Sequence, residues 1–251
     1  MMWRRVIMVF IIAMFLLGVI VMLYPLLHGV FVDTKISMDA KEFLDQRQET
    51  AAGSGQESQS SNVPPDKTMP YPELFAAMQT YNARIWEERQ SQLCDPWSYQ
   101  QPSFSLEKYG VDTDAIGVIC IPKLQLEMPI YLGATTENMA KGAVHLSQTS
   151  LPIGGMNTNC VLAGHRGYNG AAYFRYITDL EIGDTVTITN LWETLIYSVV
   201  DTEIIDPTDI QKTLIQEDHE RLTLLTCHPY ASGGRQRYVV YCERNKEMEE
   251  I

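Results

Sequence analysis

The segment Thr223-Leu224-Leu225-Thr226-Cys227 sets a cysteine at the end of a short, β-rich apolar run, just before a turn through Pro229 and the glycines Gly233 and Gly234. Soon after, Arg237 opens a second strand-like run, Tyr238-Val239-Val240-Tyr241. Upstream, Leu162-Ala163-Gly164-His165-Arg166-Gly167 ends another apolar run in a histidine. A thiol, an imidazole and a guanidinium carried to strand ends are the parts of a cysteine acyl-transfer site. Cysteine is the one common nucleophile with a useful anionic fraction near neutral pH. A neighbouring imidazolium raises that fraction and later protonates a leaving amine. A permanently charged donor aimed at the tetrahedral oxyanion lowers the barrier further.

The chain has five cysteines and five histidines, so a Cys–His pair means little by itself and context must select. Cys227 stands where a strand gives way to a glycine-bearing turn that lets the backbone open around a site. His165 ends an apolar strand, with the small residue Gly167 close behind. The other histidines have weaker settings. His28 is juxtamembrane, His145 lies in a loop-like segment, His219 in a charged stretch, and His228 follows Cys227 and so points to the opposite face. Arg235 and Arg237 both precede the last strand and point the same way. Cys120, Cys160 and Cys242 read as buried small hydrophobes, and Cys94 has no assigned role. With no Cys-x-x-Cys or His-x-x-x-His pair, no structural metal is expected.

These residues need strands to position them. GVICIP and MPIYLG are strand-like and joined at Pro122-Lys123, NCVLAGH is a buried strand, and Thr185 to Thr189 alternates cleanly. Leu195 to Ile205, RLTLLTC and RYVVYCE complete the set. Short helices are predicted at about 136–141, 170–178 and 208–217, the last capped by Asp206-Pro207-Thr208. Many short strands at regular spacing predict a closed barrel or a sandwich. Before them, Leu74, Met78, Tyr81 and Ile85 form an apolar stripe that predicts a helix over 71–92.

Val6 to Leu27 is almost uninterrupted apolar sequence, enough to cross a bilayer as a helix. No small-x-small site follows it, which favours an uncleaved anchor over a signal peptide. Arg4 and Arg5 precede it, so the N-terminus is expected in the cytoplasm and the rest outside. Residues 31–69, with the polar stretch Gln48 to Asp66, read as a flexible spacer. A net charge of −12 argues against non-specific nucleic-acid binding.

The Thr-Leu-x-Thr-Cys strand, the histidine and the downstream arginine resemble the sortase signature. The resemblance covers about residues 90 to 244. HLSQTSLPIGGMNTNCVLAGHRGYNGAAYF, TLLTCHPY and RYVVYCER are similar to the class C, pilin-polymerising branch. It implies a mainly β fold, an eight-stranded β-barrel with short helices, after an N-terminal transmembrane helix and spacer. The implied divisions are 1–30 for tip and anchor, 31–69 for spacer, 70–101 for a helix and lid, and 102–251 for the catalytic domain. It implies Cys227 as nucleophile, His165 as general acid/base and Arg237 as the oxyanion and substrate stabiliser. Arg237 is preferred to Arg235 because RYVVYCER aligns without gaps to the family's last strand. Asp95-Pro96-Trp97 resembles the class C lid, in which Asp95 would pair with the arginine and Trp97 would cover the thiol.

The implied activity is transpeptidation. Cys227 cleaves a Leu-Pro-x-Thr-Gly-like sorting signal between Thr and Gly, and a pilin lysine amine takes the acyl group. Two other readings stand beside it: wall anchoring with a peptidoglycan-precursor amine as acceptor, and a non-catalytic surface or adhesion domain. The resemblance implies no metal or organic cofactor and no nucleic acid. Its partners would be sorting-signal proteins, and its place the cell membrane, single-pass, with the catalytic domain outside. Two features depart from class C: the charged tail NKEMEEI in place of a second membrane helix, and His228 where a small polar residue is usual.

Overall fold

The computed structural model describes residues 2–53, 69–91, 93, 102 and 104–248. Among the described residues, three α-helices, α1 (Met2–Gly53), α2 (Pro72–Glu87) and α3 (Thr136–Lys141), accompany ten strands. In chain order the strands are β1 (Ala115–Ile121), β2 (Leu126–Leu132), β3 (Ala143–His145), β4 (Thr158–Ala163), β5 (Arg166–Tyr168), β6 (Ala171–Tyr173), β7 (Thr185–Asn190), β8 (Thr194–Ile205), β9 (Glu220–His228) and β10 (Gln236–Arg244).

Eight strands close a barrel in the order β1-β2-β3-β4-β9-β10-β8-β7, and β5 with β6 forms a separate hairpin. The architecture is thus the eight-stranded barrel with short helices that the sequence implies. Most of the ladder is antiparallel, but β2–β3 and β4–β9 run parallel. β7 alternates, with Val186, Ile188 and Asn190 buried. β4 is buried along its whole length, as expected of a strand flanked on both edges and covered on both faces.

The stripe of α2 packs as its spacing predicts: Leu74, Met78, Tyr81 and Ile85 are buried. The helix stops at Glu87, short of the predicted 92, where Arg89 and Gln90 take positive φ. Asn82 fastens α2 to the barrel, receiving Leu151 N–H at 2.8 Å and donating to Leu151 O at 3.3 Å. α3 forms where expected, with the Thr135 hydroxyl accepting the Asn138 N–H.

The largest difference from expectation lies at the N-terminus. In place of a spacer from residue 31, α1 continues unbroken to Gly53, and residues 54–68 of the expected spacer lie outside the described residues. Ile36, Ala40 and Phe43 are buried, with Val32 and Leu44 packed beside them. The spacing of 32, 36, 40 and 43 makes one helical face, and that face lies on β1, β2 and β6. Burying each large apolar side chain there stabilises the contact by about 1.5–3 kcal/mol. The apolar half of α1 is exposed up to the turn at Pro25, where it nears Gly170, and it is long and apolar enough to cross a membrane.

Two predicted helices are replaced. Residues 170–178 hold β6 and a single 3₁₀ turn at Ile177–Asp179. The cause is Asn169-Gly170, both at positive φ (50° and 88°), the pairing that a tight hairpin turn requires. Residues 208–217 hold only the 3₁₀ turn Ile210–Thr213. His145, expected in a loop, ends β3 and is 2% exposed. Cys160 and Cys242 are buried as expected, and burial pushes both thiols up. Cys120 is only half-buried; burial and then Glu127 raise its pKa.

Candidate active site

β9 brings Cys227 to the rim of the barrel, half-buried, one residue before the strand ends. On one side β9 pairs in parallel with β4, Ala163 lying opposite Leu225. The pairing runs one step further: Gly164 N–H donates to Leu225 O at 3.0 Å, and the Thr226 hydroxyl donates to Gly164 O at 2.8 Å. The next residue along each segment is His165 and Cys227, so the two residues occupy neighbouring backbone positions at the barrel rim. On the other side β9 pairs with β10, and Arg237 is the direct partner of Cys227. Neighbouring strands lie about 4.8 Å apart. Arg237 on β10 and His165, two residues beyond the end of β4, therefore flank Cys227 of β9 in one row.

The loop between β9 and β10 shapes the space over this row. Gly233 and Gly234 have φ of 73° and 78°. A side chain at 234 would begin 3.3 Å from Cys227 Sγ and 3.1 Å from Arg237 Nη1. Thiol and guanidinium thus converge on the spot that only a glycine leaves open. Arg237 Nη1 donates to Gly234 O at 2.6 Å and to Gln236 O at 3.0 Å, which folds its side chain back over the loop. Arg235 sits on the same loop and is exposed.

His165 is held by the hairpin that follows it. Tyr168 stacks on the imidazole at 4.6 Å between centroids, and Tyr173 meets it edge-on at 5.7 Å. Phe174 N–H donates to His165 O at 2.9 Å. The Tyr173 hydroxyl donates to Ala140 O at 2.7 Å and ties the hairpin to α3. Burial lowers the imidazole pKa below its ordinary value, which favours a neutral ring near pH 7 able to take a proton from a thiol.

A second pair borders the row. Arg166 Nη1 lies 2.6 Å from His228 Nδ1, and because the guanidinium can only donate, that nitrogen is the acceptor. Burial and then the guanidinium lower the His228 pKa. The other histidines serve elsewhere. His145 Nε2–H donates to Ser150 O (3.0 Å) and Thr149 O (3.2 Å) in the core. His219 meets Glu243 at 2.9 Å, and His28 meets Asn169 O at 3.1 Å. Asp95, Pro96, Trp97 and Cys94 lie outside the described residues.

The sequence reading brought out the three members of the row but missed what supports them. Tyr168 and Tyr173 were left unassigned, although Asn169-Gly170 between them is a strong hairpin signal. Gly234 is legible in the sequence only as one of the turn glycines that let the backbone open around a site. The contact between α1 and this hairpin has no signal in the hairpin itself.

A sortase domain model matches residues 119–245. Sortase D of Bacillus subtilis is 33% identical over 132 residues, which cover 52% of this chain and 64% of that protein, less than two thirds of its length. Among solved structures, the sortase C2 of group B Streptococcus pilus island 1 is 32% identical with a TM-score of 0.63, covering 70% of this chain and 97% of that one. A lid mutant of Streptococcus agalactiae sortase C1 is 27% identical with a TM-score of 0.63, covering 72% of this chain and 92% of that one.

Proposed function

The chain belongs to the sortase family, and from that premise we propose that it is a membrane-anchored cysteine transpeptidase that polymerises pilin-like surface proteins. The observation that carries this reading is that His165, just beyond β4, and Arg237 on β10 flank Cys227 at the end of β9. The similarity to a pilus-island sortase C supports the polymerising branch.

In the proposed reaction, His165 takes the Cys227 proton and the thiolate attacks the Thr–Gly carbonyl of a Leu-Pro-x-Thr-Gly-like signal. An S–C bond forms and the carbonyl oxygen becomes an oxyanion beside Arg237. As the C–N bond breaks, His165 returns the proton to the departing glycine amine, leaving a thioester on Cys227. A lysine amine of another subunit then attacks the thioester. An isopeptide bond forms, the thiolate leaves, and the amine proton passes to His165. Asp95-Pro96-Trp97 is assigned as a lid over the thiol, a part that sortase C1 of S. agalactiae also has. The first half of α1 is assigned as a single membrane span, with Arg4 and Arg5 on the cytoplasmic side and the barrel outside.

The test is mass spectrometry of the full chain incubated with a sorting-signal peptide, then with either a lysine-bearing peptide or a peptidoglycan-stem amine. An acyl adduct on Cys227, lost in Cys227→Ala and resolved by the lysine amine, is the expected result. Resolution by the stem amine alone would make the enzyme a wall-anchoring sortase. An adduct on another cysteine, or on the Ala variant, would sink the assignment.

A further inference from the structure

Helix α1 touches the site. Gly29 is buried where the helix crosses the tip of the β5–β6 hairpin: a methyl on it would lie 2.5 Å from the Gly170 backbone, and one on Gly170 would lie 2.5 Å from Pro25 O. One turn on, Asp33 Oδ1 accepts the Ala172 N–H at 2.9 Å. Ala172 precedes Tyr173, whose ring meets His165 edge-on, and Tyr168 of the same hairpin stacks on the imidazole. Burial and then the Asp33 charge push the Tyr173 hydroxyl up to about 12. Ile36, Ala40 and Phe43 continue the docking along the barrel wall.

We propose that the juxtamembrane turn of α1, through Gly29 and Asp33, positions the β5–β6 hairpin and with it the imidazole of His165. The membrane anchor is then a working part of the site, and Gly29 and Asp33 are positioning residues. The inference rests on reading His165 as the acid/base group. Two small residues let helix and hairpin backbones meet without an intervening side chain, so a shift of the helix is passed to the hairpin directly. The hydrogen bond from the Ala172 main-chain N–H to Asp33 Oδ1 fixes the register of that contact next to Tyr173, and His28 Nδ1 meets Asn169 O at the hairpin turn at 3.1 Å. The hairpin in turn supplies two of the walls around His165, Tyr168 and Tyr173. The charged or titratable groups facing this contact are Asp33 and His28 on α1, Tyr168 and Tyr173 on the hairpin, Arg175 against Gly167, and Arg166 paired with His228 beside it.

The test uses the full chain in nanodiscs of uncharged phosphatidylcholine. The His165 resonance, assigned by its loss in His165→Gln, is titrated by NMR in wild type, Gly29→Ala, Asp33→Ala and Asp33→Asn. Alanine at 29 favours the helix itself but expels the hairpin, and asparagine at 33 keeps the acceptor while removing the charge. The wild-type midpoint is expected below the ordinary value of about 6.5. Gly29→Ala and Asp33→Ala raise it towards that value as the hairpin loosens and water reaches the ring, and Asp33→Asn leaves it in place. In peptide transfer, kcat falls about two- to ten-fold in the first two, the worth of one hydrogen bond, with KM unchanged. Midpoints of Gly29→Ala and Asp33→Ala equal to wild type would overturn the proposal, as would Asp33→Asn shifting as far as Asp33→Ala. The titration needs no substrate, so a wild type that transfers no peptide would refute the transpeptidase reading and leave this result intact.

Discussion

Arg237 stands directly across from Cys227 in the β9–β10 ladder, whereas Arg235, two residues earlier, is exposed on the connecting loop. Strand pairing, rather than proximity in sequence, separates the two arginines. It also fixes the guanidinium on the side of the thiol away from His165, where an oxyanion donor would be needed.

Arg237→Ala is therefore expected to cost far more transfer activity than Arg235→Ala. An oxyanion donor is worth about 2.7–4 kcal/mol, or 10²–10³ in kcat, while loss of an exposed charge on the loop is worth little. Steady-state kinetics on a sorting-signal peptide decide, and greater damage from Arg235→Ala would reverse the assignment.

Gly234→Ala should impair both fold and chemistry. At a φ of 78° an L-residue costs about 1–2 kcal/mol, and the new methyl would press on Cys227 Sγ at 3.3 Å. Urea unfolding should register the first effect and a slower reaction of Cys227 with a small thiol reagent the second. A variant as stable and as reactive as wild type would contradict the loop geometry.

His145 makes the barrel sensitive to acid. Burial lowers its pKa to about 4, from an ordinary value of 6.5. The unfolded chain therefore binds more protons between these values, and folding stability is lost as pH falls from 6.5 to 4. For one fully buried group this amounts to about 3 kcal/mol. His145→Gln is expected to lower stability at pH 7 but to flatten its decline towards pH 4. Parallel declines in urea midpoint for the two proteins would show that another group is responsible.

The lid assignment yields its own measurement. An ion pair of Asp95 with Arg237, an aromatic contact of Trp97 with the thiol and partial burial of the Trp97 ring together amount to about 1–3 kcal/mol. Closed and open states then differ roughly 5- to 150-fold in population. With the other cysteines removed, Asp95→Ala combined with Trp97→Ala should speed labelling of Cys227 within that range. Equal rates would mean that Asp95-Pro96-Trp97 does not cover the site.

What the sequence revealed and what it hid follow from the range of the forces involved. Thr185 to Thr189 and Leu222 to Cys227 are legible as strands because residue type and period agree locally. β3 is three residues long and exists because β2 and β4 flank it, a condition that no local pattern records. The Asn169-Gly170 turn is legible as a hairpin signal, and it conflicts with the helix expected over 170–178. The stripe Val32, Ile36, Ala40 and Phe43 was also present, scattered among charged residues, and it becomes a packing face only once a barrel wall is there to receive it. Cys227, His165 and Arg237 stood out by type and by their place at strand ends. Their order in the row depended on the parallel β4–β9 register.

That register also bears on the order in which the row is assembled. Cys227 and Arg237 belong to a hairpin, whereas His165 reaches Cys227 only by closing a loop about six times longer. The extra closure entropy is about 1.6 kcal/mol, and contacts of such sequence separation form late in folding. The newly made chain is thus expected to set the arginine beside the thiol before the imidazole arrives. Until then the sulfur lacks the imidazole that would take its proton, and the half-built row stays chemically quiet while the chain folds.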